Sequence, residues 1–171
     1  YVTTVAFTMV GGQHWTGGSN YLLNLFRTLK AHADVDLKPL LFVGEDVAEE
    51  FVRPFAELLA GSIIRTSVFD SRGESARVAR ALLLGKVEEI ERVFRSHQVE
   101  VVFEAAQYVG WRPRVSTLAW IPDFQHRHLP QMFPARQRLK REFGHLAQVH
   151  SHRRIMLSSE DARRDCERFH P

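Results

Sequence analysis

Cysteine is nearly missing from this sequence: Cys166 is the only one in 171 residues. No internal disulfide can form, and such usage suits a reducing compartment. Long apolar runs are missing as well. None approaches the ~20 residues of a membrane-spanning helix, and no signal peptide opens the chain. Internal repeats and low-complexity linkers are absent. The first residue is Tyr1 rather than Met and falls directly on a strand-like run, which reads as a piece of a longer polypeptide.

Several chemical signatures are absent too. The glycines of the first loop lack the Gly-x-Gly-x-x-Gly spacing that seats a dinucleotide pyrophosphate, and no Lys-Ser/Thr follows them as in a P-loop. Nicotinamide, flavin and ordinary nucleoside triphosphate chemistry are therefore disfavoured. No Ser–His–Asp arrangement or nucleophile elbow is evident. His126, His128, His150 and His152 form two His-x-His pairs, but no cysteine or carboxylate completes a zinc pattern, so no metal site is expected.

What is present is an ordinary globular composition, 44% apolar and 25% charged, in a length that fits one compact domain. The net charge of +3 is unevenly spread. Residues 1–120 carry 13 basic and 14 acidic side chains, whereas residues 121–171 carry 10 and 6. The excess lies in Arg136, Arg138, Lys140, Arg141, Arg153 and Arg154, opposed locally by Glu142 alone. A patch of this kind attracts phosphates, acidic sugars or an anionic membrane surface, or is simply a solvated helix face. Nucleic acid is disfavoured as a partner, because no aromatics interleave the basic residues.

Strand-like and helix-like segments alternate along the chain. Val2–Met9, Asp36–Val43, Ser62–Ser67, Val99–Ala105, Val115–Ile121 and Ile155–Ser158 read as strands. Ser19–His32, Val47–Leu59, Arg136–His150 and Ser159–Phe169 read as helices. Ser75–Ser96 reads as one long helix with Val78, Leu82, Val87, Ile90 and Phe94 on a stripe, and Gly85 as a kink or break. Cys166 reads as a residue on a helix face. This alternation predicts the α/β class with a doubly wound parallel sheet, Rossmann-like in kind. Ligands of such sheets bind beyond the carboxyl ends of the strands. That rule selects two loops, Val10–Asn20 and Pro122–Pro134.

The first loop contains Gly11, Gly12, Gly17 and Gly18, with His14 and Trp15 as residues that could line a cleft. Glycines at a strand-to-helix turn leave bare amides beside the positive end of a helix dipole, which favours an anion; equally, a tight turn alone needs them. The second loop clusters Asp123, Gln125, His126 and His128 just beyond an apolar strand. An acid to orient a hydroxyl, an amide to hold a sugar and an imidazole suited to hydrogen bonding near neutral pH read as a polar ligand site. His126 is the candidate catalytic residue, and His128 is read as structural.

Three segments together resemble the N-terminal domain of GT-B fold retaining glycosyltransferases, the large group known as glycosyl transferase group 1 (family 4). Gly17-Gly18-Ser19-Asn20-Tyr21-Leu22-Leu23-Asn24-Leu25 is similar to that family's Gly-Gly, Tyr and Asn-Leu opening. Ile121-Pro122-Asp123-Phe124-Gln125-His126, with Leu129-Pro130 and Phe133, resembles a loop of a bacterial branch. Leu157-Ser158-Ser159-Glu160-Asp161-Ala162-Arg163-Arg164-Asp165, with Phe169 and Pro171, resembles the strand and helix that end the domain.

The resemblance implies transfer of a sugar from a nucleotide-sugar donor to a glycan or lipid-linked acceptor, with retention and without a cofactor. It implies that Gly17 and Gly18 face the donor diphosphate, and that Asn20, Asp123 and Gln125 bind substrate. Many relatives carry histidine directly before the aspartate of the second loop, where this chain has Pro122. Either His126 takes over that contact or the acceptor is held differently. The family's donor site lies mostly in a C-terminal domain, with paired glutamates that do not occur before Pro171. The expectations are therefore an acceptor-side domain spanning residues 1–171 and an isolated chain that shows no transfer. A non-catalytic sugar- or nucleotide-binding module of the same fold is the alternative. The expected location is cytoplasmic, with peripheral contact to the inner membrane face through the basic patch at residues 136–154.

Overall fold

The run Thr3–Thr8 is buried at five consecutive positions, as in a parallel strand covered on both faces. It forms β1. A computed structural model describes residues 1–9, 16–32, 34–105, 107–151 and 153–171. After β1 come α1 (Thr16–Ala31), β2 (Leu37–Val43), α2 (Glu49–Ala56), β3 (Ile63–Arg65), α3 (Glu74–Leu84), α4 (Glu88–Ser96) and β4 (Val101–Glu104). Then follow β5 (Ser116–Ile121), α5 (Gln125–His128), α6 (Ala135–His150), β6 (Arg154–Leu157) and α7 (Glu160–Phe169). The class is α/β, and the chain divides into two units, Tyr1–Ser116 and Thr117–Pro171.

In the first unit the strands lie in the order β3-β2-β1-β4 and pair in parallel, with Phe7 opposite both Leu41 and Phe103. The chain moves outward from β1 to β3 and then returns to place β4 on the other side of β1. That reversal makes the sheet doubly wound, and the switch point lies between the carboxyl ends of β1 and β4. Pro39 lies in β2 before the stretch that pairs with β3, so its missing N–H is outside that register.

Aromatic packing holds helices to this sheet. Phe26 of α1 meets Phe7 edge-to-face at 4.8 Å and Phe55 of α2 at 6.0 Å. A second cluster joins Leu40, Phe42, Ile90, Phe94 and Val102. Each such side chain contributes about 1.5–3 kcal/mol by leaving water.

The long helix expected over Ser75–Ser96 is two helices. Gly85 adopts φ +78° and ends α3, and its carbonyl accepts the Arg112 N–H at 2.7 Å. The break rotates the second half, so Ala81, Val87, Ile90 and Phe94 are buried while Leu82 is 48% exposed. Similarly α2 stops at Ala56 rather than Leu59, because Leu58 and Leu59 both donate to the Phe55 carbonyl in a tightened turn.

The second unit pairs β5 and β6 in parallel, with Trp120 opposite Met156. Trp120 Nε1 donates to Ser158 Oγ at 2.9 Å, which ties the strand ends. Ser159 caps α7 by accepting the Ala162 N–H at 3.1 Å, and Glu160 and Asp161 complement the helix dipole. Cys166 is buried on α7 against Ile121 and Phe124, and burial pushes its thiol pKa up. Among the described residues no helix is long and apolar enough to cross a membrane.

Candidate functional site

Helix α1 begins at Thr16, earlier than the sequence suggests. Gly17, Gly18 and Asn20 are thus in its first turn, not in the loop before it. Gly17 and Asn20 are exposed and Gly18 is buried. A Cβ on Gly17 would meet nothing within 4 Å among the described residues. The first-turn amides of a helix have no intrahelical acceptor, and no acidic side chain occupies this turn. Gly11, Gly12, His14 and Trp15 lie outside the described residues.

Sequence reasoning passed over Glu104. This carboxylate ends β4 beside the switch point, is fully buried, and accepts the Val109 N–H at 2.9 Å. Thr8, at the matching end of β1, is also buried, and its hydroxyl has no partner among the described residues. The available signal was one carboxylate closing the otherwise apolar run Val101-Val102-Phe103.

In the second unit, the chain leaves β5 through Pro122 and turns at once. Asp123 Oδ1 accepts the Gln125 N–H at 3.1 Å and lies 3.5 Å from Arg141 Nη1. Asp123 therefore fixes the turn that opens α5 as well as presenting a half-buried carboxylate. Gln125 points to solvent. His126, one residue on, is only 3% exposed. The three expected residues are adjacent, but they face different surroundings.

The His126 ring is packed on Phe124 and stands edge-on to His145, with centroids 6.4 and 5.2 Å away. Its Nε2 lies 3.2 Å from Glu142 Oε2 on α6. The neutral ring therefore carries its proton on Nε2 and donates it to Glu142, an assignment made from the hydrogen-bond geometry. Nδ1 is left buried without a partner among the described residues. The same Glu142 oxygen accepts Arg127 Nε at 2.9 Å, while Arg127 Nη2 donates to the other oxygen. A carboxylate thus joins an imidazole and a guanidinium.

Burial holds the His126 pKa below the usual histidine value; Arg141 and Arg127 act in the same direction, and Asp123 opposes them. His145 is pushed down to about 3, by burial first and then by His126 and Arg141. His170 is lowered too, again chiefly by burial. All three rings approach Phe124. Their environment favours neutral imidazole.

His128 is different. It is about half exposed, and its Nε2 lies 2.6 Å from Asp165 Oδ2 on α7. An open groove of about 770 Å³ runs past both histidines between α5, α6 and α7, walled by Leu139 and Phe169. Among the described residues no group of three or more His, Cys, Asp or Glu side chains could hold a metal ion. His152, a member of one His-x-His pair, lies outside them.

The arrangement offers two polar elements. One is a helix N-terminus suited to an anion. The other is a groove lined by His126 and His128, with the His126 ring held by Glu142; Asp123 and Gln125 lie just before it in the chain and are not among its lining residues. No protein-family profile, curated protein or solved structure matches the chain.

Proposed function

We propose that this chain is the acceptor-side half of a retaining glycosyltransferase, moving a sugar from a nucleotide-sugar donor to a glycan or lipid-linked acceptor. The observation that carries the reading is the placement of Gly17 and Gly18. They occupy the first turn of the helix that follows β1, at the ligand-binding end of a doubly wound sheet, with no acidic side chain in that turn. A diphosphate leaving group gains charge as the glycosidic bond breaks, and free amides at a helix N-terminus stabilise that charge in the transition state. Asp123 and Gln125 follow the carboxyl end of β5, where substrate hydroxyls are held in sheets of this class.

Within this reading His126 is a positioning residue. Its buried ring orients Glu142, and through it Arg127, at the wall of the groove. The donor's nucleotide is held by a second, C-terminal domain of the same polypeptide. The protein works in the cytoplasm, at the inner membrane face.

One observation favours a second reading, a non-catalytic sugar- or nucleotide-binding module. His126, the candidate catalytic residue, is 3% exposed and engaged with Glu142, so it offers no free nitrogen at the surface. The test that separates the two is transfer of labelled sugar from UDP-, GDP- and ADP-sugars by the natural polypeptide that carries this chain. The transferase reading expects turnover that falls when Gly17 or Asp123 is substituted. Binding of nucleotide-sugars with no turnover on any acceptor supports the module.

A further inference from the structure

The groove of about 770 Å³ in the second unit has an unusual charge distribution. Four arginines of this unit are paired with acids. Arg163 pairs with Glu160 and Glu167, Arg164 with Asp161, Arg141 with Asp123 and Arg127 with Glu142. Arg138 of α6 and Arg168 of α7 line the groove, and their guanidinium groups make no hydrogen bond or ion pair among the described residues. Arg168 only leans over the Phe169 ring, at 5.5 Å. Glu142, the one acid lining the groove among the described residues, already accepts from Arg127 at both oxygens. The groove is thus lined by two arginines without an acidic partner among the described residues, and a guanidinium fork suits the oxygens of a phosphate.

The wall beside these forks is apolar. Leu139 is 57% exposed and lines the groove with Phe169, Pro130 and Ala135. Leu139, Phe143 and Leu146 are spaced four and three residues apart and form an exposed stripe along α6. An inorganic phosphate or a sugar phosphate would satisfy the arginines and leave this wall wet. A phosphate attached to a hydrocarbon body would cover both.

We propose that the groove between α5, α6 and α7 binds a phosphomonoester lipid as a single molecule, its phosphate on Arg138 and Arg168 and its hydrocarbon against Leu139 and Phe169. As the seat of an acceptor the groove rests on the transferase reading. As a binding site it rests on the geometry alone, and the experiment reads only binding.

The probes are dihexanoyl phosphatidic acid below its micelle concentration, inorganic phosphate, and vesicles of phosphatidylcholine with and without phosphatidic acid. Titration calorimetry should show the short-chain lipid binding at least about tenfold tighter than inorganic phosphate, since only the lipid buries the apolar wall. Arg138→Gln and Arg168→Gln should each weaken it about fivefold or more. Leu139→Ser should weaken the lipid and leave inorganic phosphate unchanged. These three side chains are at the surface, so circular dichroism and thermal melting serve as controls for folding. Equal affinity for lipid and inorganic phosphate overturns the proposal, as does no binding of either. Adsorption to anionic vesicles that survives the double arginine substitution overturns it too, because it assigns the charge to surface attraction and not to this site. Failure of sugar transfer alone would leave the binding result intact.

Discussion

Glu142 Oε2 lies 3.2 Å from His126 Nε2 and 2.9 Å from Arg127 Nε, so one carboxylate of α6 holds two consecutive side chains of α5. This contact fixes the wall of the groove. Removing the carboxylate in Glu142→Ala leaves a half-buried guanidinium and a buried imidazole N–H without an acceptor. The expected cost is about 1–2 kcal/mol after allowing for partial exposure of the ion pair. Glu142→Gln keeps one acceptor oxygen and should lose less. Urea unfolding of both variants checks the order. Equal stability of Ala, Gln and the parent would remove Glu142 from the account.

The pH dependence of stability follows from the buried histidines. In the folded chain His145 titrates at about 3, against about 6.5 when unfolded. Above pH 6.5 both states are neutral and the contribution is fully present. As pH falls from 6.5 toward 3, the unfolded state takes up the proton first and stability is lost, by up to ~1.4 kcal/mol per pH unit for one such group. His126 and His170 are shifted in the same direction and add to the slope. His145→Phe replaces the ring with one that does not titrate. Urea midpoints measured from pH 7 to pH 4 should fall less steeply in this variant. An unchanged slope would mean that His145 is not the buried neutral ring described.

Gly110 and Gly61 both have positive φ, but only one is crowded. A Cβ on Gly110 would sit 2.8 Å from Lys86 N and closer still to the Gly85 carbonyl, where the α3–α4 break meets the segment after β4. A Cβ on Gly61 would meet nothing within 4 Å among the described residues. Gly110→Ala should therefore cost about 2–4 kcal/mol, through strain and a forced backbone shift. Gly61→Ala should cost only about 1 kcal/mol, the price of its dihedral. Thermal melts of the pair test this, and similar losses would contradict the packing at Gly85.

Substitution at Gly17 separates folding from ligand binding. Because a Cβ there meets nothing within 4 Å among the described residues, Gly17→Ala should leave stability within about 1 kcal/mol of the parent. If the first turn of α1 receives a diphosphate, the same methyl group intrudes on it. Nucleoside diphosphate affinity of the natural polypeptide should then fall several-fold with an unchanged melting temperature. A variant with unaltered affinity would move the anion site elsewhere.

Much of the fold is written in local patterns. The apolar run Val5-Ala6-Phe7, the helical spacing of Leu22 and Phe26, and the Ser159 cap each specify their element from nearby residues. The break at Gly85 was legible only as a choice between kink and stop, because Arg112, which takes its carbonyl, lies 27 positions later. The site was less legible still. Asp123, Gln125 and His126 are adjacent in sequence, so their proximity was readable. Their opposite burial was not, since it depends on α6 and α7 packing over Phe124. Glu142 is 16 positions from His126, and no spacing rule links them. Glu104 was hidden because a buried carboxylate cannot be told from a surface one until the strand has neighbours.

The transferase reading stands or falls on transfer of a radiolabelled sugar from UDP-, GDP- or ADP-sugars to lipid-phosphate and glycan acceptors. It uses the natural polypeptide carrying this chain, with the anomeric configuration of the product read by NMR. Turnover with retained configuration, lost in Asp123→Ala, is the expected result. No transfer to any acceptor, or a product of inverted configuration, would contradict it.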